Sequence, residues 1–201
     1  NLKEIKITTN QLKYNKDTLI LTAIKDVKII DNLNKVTLKA DKIIYYKNQE
    51  KIITVGKTEI EVDKTYLINS SDITFFRNEM IISSDKNTSL KDNLNNQYNV
   101  QNFNYLINDK ILRGKEITLI TNEHDRYLFK DGMVDLNLKE IVGKDLEVEF
   151  VNNLFGNKDN EPRLKGNTGF ANENVTKVSK GVFTTCKRRD NKCPPWQVKA
   201  K

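Results

Sequence analysis

One outline recurs along this chain at a spacing of 31 residues, and few folds accommodate such a period. Thr9-Asn10-Gln11-Leu12-Lys13-Tyr14-Asn15-Lys16, Ala40-Asp41-Lys42-Ile43-Ile44-Tyr45-Tyr46-Lys47 and Ser71-Asp72-Ile73-Thr74-Phe75-Phe76-Arg77-Asn78 each run from a small or polar start, through an apolar and aromatic stretch, into a polar turn. The rings Tyr14, Tyr45 and Phe76 are 31 residues apart, and Tyr105 follows 29 residues later. A second apolar stretch comes after each turn: Leu19 to Ala23, Ile52 to Val55, Met80 to Ile82, and Ile111 to Leu112. One repeat is therefore a pair of strands, a unit that buries its apolar face only by stacking on its neighbours. An ordinary meander with hairpins of equal length gives the same spacing and is the alternative.

Within the repeats the side chains alternate with period two. Val36, Leu38 and Ala40 interleave with Thr37, Lys39 and Asp41; Ile60 and Val62 with Glu59, Glu61 and Asp63; Leu146, Val148 and Phe150 with Asp145, Glu147 and Glu149. Successive strand residues leave opposite faces of a sheet, so each stretch reads as a half-buried antiparallel strand. Turns are expected at Asn15-Lys16-Asp17, Asp31-Asn32-Leu33-Asn34, Asn48-Gln49-Glu50, Asn108-Asp109 and Lys130-Asp131-Gly132, which spaces strands every 10 to 14 residues. Seven of the eight glycines and all three prolines follow residue 113, and the stretch from Asn152 to Pro162 is polar without alternation. The regular stack is thus expected to end or bend there, with a less regular cap beyond.

Composition narrows the chemistry. With 37% hydrophobic residues and a mean hydropathy of -0.62, the chain is lean for a thick globule and suits two thin layers. The formal charge of +7 is uneven: Lys187, Arg188, Arg189, Lys192, Lys199 and Lys201 face only Asp190 in the last sixteen residues, which leaves +2 for the rest. A nucleic-acid groove needs basic side chains along one surface with aromatic rings between them, and the body carries interspersed signs instead. No run of 18 apolar residues occurs, so no helical membrane span is expected. Asn1 has no Met or apolar leader before it, which suggests a signal peptide removed or never included.

Catalytic and metal signals are weak. His124 lies in Thr121-Asn122-Glu123-His124-Asp125-Arg126, which reads as a solvated hairpin tip rather than a general base with partners. Glu59 and Glu61 alternate with core residues, so a solvated face explains them better than a glycosidase pair. Cys186 and Cys193 have six residues between them, enough for a short closed loop, and two thiols with one histidine cannot complete a zinc shell. No enzyme, no cofactor and no metal site are expected.

The segment Ala-Asp-Lys-Ile-Ile-Tyr-Tyr at 40–46, with its repeats, resembles the OstA-type repeats of the lipopolysaccharide-transport proteins over roughly residues 5–150. Phe183-Thr184-Thr185-Cys186, then Cys193-Pro194-Pro195-Trp196-Gln197-Val198-Lys199-Ala200, resembles the segment that joins the N-terminal periplasmic domain of the outer-membrane LPS-assembly (LptD) family to its barrel. The periplasmic bridge family lacks that segment. The resemblance implies an all-β fold of the OstA/LptA type, a V-shaped β-jellyroll whose two antiparallel sheets leave an open groove. Residues 1–180 would form this jellyroll, and 181–201 would link it to a C-terminal β-barrel that follows.

The implied function is a periplasmic domain of a cell outer membrane protein that takes lipopolysaccharide from the periplasmic bridge and passes it to the barrel with its lipoprotein partner. Acyl chains would lie along Leu12, Tyr14, Leu21, Val27, Ile29, Val36, Leu38, Ile43, Tyr45, Ile60 and Val62, whose inward face is an assignment that a one-residue slip would reverse. Filling a closed sandwich core is the bland fate of the same residues. The N-terminal strand, with Ile5, Ile7 and Thr9, would dock the bridge by edge pairing. In well-known relatives the tail cysteine pairs beyond the barrel; here a local Cys186–Cys193 bridge is expected, with a more distant pairing as the alternative and reduced thiols if neither forms. A free periplasmic LPS bridge, or a repetitive β-structured enzyme or adhesin acting on polysaccharide, are the other functions in view.

Overall fold

The computed structural model describes residues 5–152, 154–157, 159–188 and 194–200. It is all-β apart from one short 3-10 turn, Lys47–Gln49. The strands are β1 Ile5–Thr8, β2 Gln11–Asn15, β3 Ile20–Asp31, β4 Val36–Tyr46, β5 Lys51–Val62, β6 Tyr66–Ser71, β7 Thr74–Phe76, β8 Ile81–Ser84 and β9 Thr88–Lys91. They continue with β10 Gln97–Leu106, β11 Ile111–Ile120, β12 Arg126–Asp135, β13 Glu140–Glu149, β14 Arg163–Ala171, β15 Thr176–Ser179, β16 Val182–Thr184 and β17 Val198–Lys199. Each long strand pairs antiparallel with the next, as β3 does with β4 and β4 with β5. The short ones pair two to a neighbour, as β6 and β7 do along β5 and β8 and β9 along β10.

Every long strand is creased near its middle, so its halves belong to two facing walls. Residues 20–24 of β3 pair with β2, and residues 28–31 pair with β1. The same division runs through the ladder, and β6/β7 and β8/β9 are strands in which the crease has become a break. Side-chain alternation must be reset there, because a strand that changes walls would otherwise turn its apolar side out. In β4 the buried residues are Val36, Leu38 and Ala40 before the crease, then Ile43 and Tyr45; in β10 they are Tyr98 and Val100, then Phe103 and Tyr105. Extra residues absorb the shift, several at positive φ, among them Lys25 (67°), Asp26 (50°), Asn102 (47°), Glu116 (48°) and Asp145 (51°). Lys130-Asp131-Gly132, expected as a hairpin turn, is one of these creases inside β12. Its Asp-Gly chemistry serves a bend that the strand continues through.

The period, which the structure sets at about 30 residues, has a backbone cause. Each turn on the first wall ends on a non-glycine residue at positive φ: Leu19 (54°), Glu50 (47°), Met80 (57°), Lys110 (55°) and Lys139 (54°). The carbonyl of this residue accepts an N–H from the next turn: Lys47 to Leu19 (3.1 Å), Arg77 to Glu50, Ile107 to Met80 and Leu136 to Lys110 (each 2.9 Å). Nearly equal repeat lengths, 31, 30, 30 and 29 residues between these positions, keep those bonds in register. The inner ring of the third repeat is Phe75 and not Phe76: Phe75 is buried, while Phe76 is half-buried beneath the Lys51 ammonium, 5.3 Å from its centroid. The polar stretch after Phe150 is a loop that returns to β14, so the ladder continues past it. Val182–Thr184 and Val198–Lys199, in the segment expected to be a linker, also pair into it.

In the C-terminal half the walls press together on a row of glycines: Gly114 opposite Gly132, Gly132 opposite Gly143, and Gly143 opposite Gly169. A Cβ at Gly143 would strike the Phe129 ring and stand 2.7 Å from the Asp131 carbonyl oxygen. Gly143→Val should therefore destabilise the fold by about 2 kcal/mol or more through overpacking, whereas Val142→Thr on the exposed outer face should stay within about 0.5 kcal/mol; urea unfolding of both variants checks this.

Candidate functional site

The space between the walls is mainly apolar, with a few buried threonines and serines such as the hydrogen-bonded Thr54 and Thr58. Of the residues expected to line it, Val27, Ile29, Val36, Leu38, Ile43, Tyr45, Ile60 and Val62 are all buried within the core. Leu21 is half-buried against it. Through the middle of the molecule these side chains meet those of the opposite wall, so the interior there is packed. Leu12 and Tyr14 lie opposite Ala23 and Leu21 in the β2–β3 pairing, which puts them on the same inner face. They are 55% and 44% exposed because, among the described residues, β2 is the last strand of its wall and pairs only with β3. The N-terminal end of the stack is thus an open apolar mouth.

Two unpaired strand edges flank that mouth. Among the described residues β1 pairs only with β3, through Ile5, Lys6, Ile7 and Thr8, and β2 pairs only with β3. Ile5 and Ile7 pack against the core from the edge. Thr9, expected on the same edge, instead sits in the crease between β1 and β2, its hydroxyl donating to the carbonyls of Ile24 (2.9 Å) and Lys25 (3.1 Å). The β2 edge is not anticipated from sequence, where edge docking falls to Ile5, Ile7 and Thr9 while Leu12 and Tyr14 belong to the groove lining alone.

Opposite the crease, the turns of the two walls form a pair of lips. Near the N-terminal end a buried ion pair holds the lips together. Arg77, from a first-wall turn, donates through Nε to Asp31 Oδ2 at the end of the second-wall half of β3 (2.8 Å) and through Nη1 to Glu50. Asp31 also accepts from the Asn34 backbone and side-chain amides (3.1 and 2.9 Å), and Tyr45 Oη donates to Glu50 (2.8 Å). The Arg77 and Asp31 side chains are 10% and 1% exposed. Burial works against the Arg77 charge, but the bond and charge of Asp31, then the charge of Glu50, outweigh it and hold the guanidinium above its ordinary pKa. Burial first, then Glu50, pushes the Tyr45 phenol up to about 12.

Beyond this latch the lips part twice. A cleft of about 250 Å³ lies between Leu33, Val62 and Tyr66 on one side and Met80, Tyr105 and Ile107 on the other, with Lys35, Asp63 and Lys110 at its rim. Farther along, a cavity of about 390 Å³ has Tyr98, Tyr127, Val134, Ile141 and Ala171 among its walls and Glu123, Asp125, Glu140 and Glu173 against Lys139 around it. His124 is exposed on its turn at a φ of 73°, and Asp125 points away from it to accept the Val151 amide (2.9 Å). Glu59 is ion-paired to Lys39 on the outer surface (2.7 Å). Neither pair of acids forms a convergent site, and no group of metal-ligating residues occurs among the described residues.

Arg188, at the start of the basic tail, is bound to the acidic end of the second wall. Arg188 pairs with Glu149 and donates its backbone N–H to Glu161 (2.7 Å), and Trp196 packs edge-on against Phe183 of β16 (6.3 Å). The expected Cys186–Cys193 bridge cannot be placed, since Cys193 lies outside the described residues.

Antiparallel strands creased into two walls, with an apolar interior closed on one side and lipped on the other, define the class as a β-jellyroll built by stacking. No family model and no curated protein matches the sequence. Among solved structures, LptH, the LptA-homologous periplasmic component of the conserved lipopolysaccharide transport device from Pseudomonas aeruginosa, aligns over 65% of this chain and 75% of that one, at 11% identity and a TM-score of 0.29. The functional reading therefore rests on the geometry above.

Two outcomes follow from the ion pairs. Arg77→Met should cost about 3 kcal/mol or more in urea unfolding, because it strands the buried Asp31 carboxylate, and adding Asp31→Asn should restore most of the loss. For Glu149, burial opposes ionisation, but Arg188 and then Arg126 outweigh it and hold the pKa below the ordinary 4.5. That contribution is complete above 4.5 and is lost as pH falls through the depressed folded value. Hydrogen-exchange protection at residues 186–188 should fall over that acid range while the amides of β10 stay protected, and Arg188→Gln should remove the difference.

Proposed function

We propose that this chain is a non-enzymatic lipid-carrying module, the periplasmic domain of an outer-membrane lipopolysaccharide-assembly protein of the LptD type. The observation that carries the reading is a mainly apolar interior that reaches solvent at a mouth, a cleft and a lipped cavity, with the charged groups of the cleft and cavity around their rims. Hydrocarbon gains about 25 cal/mol per Å² by staying between such walls, and sugars or phosphates can remain in water at the lips. Anionic head groups suit Lys110 at the cleft, where Lys35 already neutralises Asp63 (3.2 Å), better than the acidic rim farther along. Lipopolysaccharide would enter where Leu12 and Tyr14 are uncovered, after β1 and β2 have paired with the periplasmic bridge. It would leave toward a barrel and its lipoprotein partner beyond the tail, where the paired or distant cysteines of the family belong. Directional flow needs a push from elsewhere in such an assembly.

A free periplasmic bridge is the second reading. Unpaired strands at both ends favour it, since β15 and β17 each have one neighbour among the described residues and suit a link in a chain of protomers.

A photoreactive phenylalanine at Tyr14 or Tyr45 should crosslink to lipopolysaccharide in cells, and one at the outward-facing Lys39 should not. The same probe at Ile7 should capture a protein of bridge size. Equal lipid labelling at Lys39 and Tyr45 would discard the interior as the carrier, and protein capture without any lipid adduct would favour a purely structural stack.

A further inference from the structure

Tyr105 has a property that no other described residue shares. It is fully buried, yet its hydroxyl is the one buried side-chain polar atom left without a hydrogen-bond partner among the described residues. The ring comes from β10 on the first wall and packs edge-on against Tyr66 of the second wall, with centroids 6.1 Å apart. Both rings line the cleft between the lips, and the charges felt at the Tyr105 hydroxyl are those of Tyr66 and Asp63, which line it too. Burial raises the phenol far above its ordinary pKa, so it keeps its proton at any physiological pH. A hydroxyl in this position without a partner costs the folded protein more than a phenylalanine ring would, and such groups in native proteins call for a reason. The other inner aromatic residues of the column have none of this cost: Tyr45 donates to Glu50, and Phe75 has no hydroxyl.

We propose that Tyr105 is a specificity residue that donates its hydrogen bond to an oxygen carried on an acyl chain, a hydroxyl or an ester carbonyl, so that the cleft selects oxygenated chains over plain ones. The inference rests on the lipid-carrying reading and deepens it. Its polarity follows from the rim: a carboxylate or phosphate end would sit near Lys110, since Lys35 is paired with Asp63 (3.2 Å), the methylenes would lie against Val62, Met80 and Ile107, and an oxygen a few bonds below the head would reach the phenol. A plain chain fills the same space but leaves the hydroxyl unmet, a penalty that discriminates more sharply than the gain of one methylene.

The test uses the full chain and three probes: tetradecanoic acid, 3-hydroxytetradecanoic acid and 3-acetoxytetradecanoic acid, each competed against a fluorescent fatty acid. The wild-type protein should bind one of the oxygenated acids about fivefold more tightly than the plain acid, and which one separates hydroxyl from ester recognition. Tyr105→Phe should bind the plain acid as well as the wild type does, lose the preference, and melt at a higher temperature without lipid. Plain-acid binding without any wild-type preference, or a preference that survives in Tyr105→Phe, overturns this proposal while the lipid reading stands. A lower melting temperature for Tyr105→Phe overturns the premise of an unmet hydroxyl. Failure of all three acids to bind removes the lipid reading and this proposal with it.

Discussion

The structure depends on one constraint: a strand whose side chains alternate can supply the inner face of two facing walls only if its alternation is reset where it crosses between them. The chain meets this in several ways along its length. Lys25 and Asp26 bulge out of β3, β4 and β10 shift by one residue, and β6/β7 break altogether. Each solution places the next apolar residue back inside. Without the reset, half of every strand would turn Ile and Leu to water, and the interior would have one apolar wall instead of two. The glycine row in the C-terminal half is the same constraint seen from within, since walls that converge on a crease leave least room for side chains beside it.

Stacking sets the second requirement. A two-strand unit has too little apolar area to stand alone, and its neighbours supply the rest. The positive-φ residue at each first-wall turn serves this purpose, because its backbone conformation turns a carbonyl toward the next turn's amide. Leu, Glu, Met and Lys occupy that position, all of which adopt positive φ at some cost. Four successive bonds along the lip offset that cost collectively.

Much of this was legible in the sequence, for physical reasons that also explain the gaps. Alternation in Val36-Leu38-Ala40 and Ile60-Val62 assigned inner faces because each run lies wholly within one wall, where period two holds. The repeat was legible because one ring per unit faces inward, although adjacent Phe75 and Phe76 allowed the wrong one to be chosen. Creases were not legible. Asp, Asn, Glu and Lys at positive φ have no signature apart from an ordinary polar residue, and the one crease with turn chemistry, Asp131-Gly132, read as a hairpin. The Arg77–Asp31 pair spans 46 residues and exists only once the lips have met, so no local pattern announces it. Tyr105 was legible as a ring and not as an unmet hydroxyl, which is a property of its surroundings.

If the interior carries lipid as proposed, the closed middle and the open N-terminal mouth together decide where an acyl chain would gain admission. On the proposed reading, a chain entering the packed region must part the walls and lose close-packed contacts. At the latch it must also separate a buried ion pair, which costs about 3 to 5 kcal/mol. Toward the C-terminal end, among the described residues, no ion pair crosses the lips at the cavity. The difference makes the C-terminal part of the slot the easier to open and the Arg77 region the part that stays shut until something supplies the energy. A chain arriving at the Leu12–Tyr14 mouth thus meets its largest polar barrier within the first repeats, and the lips yield more readily once it has passed.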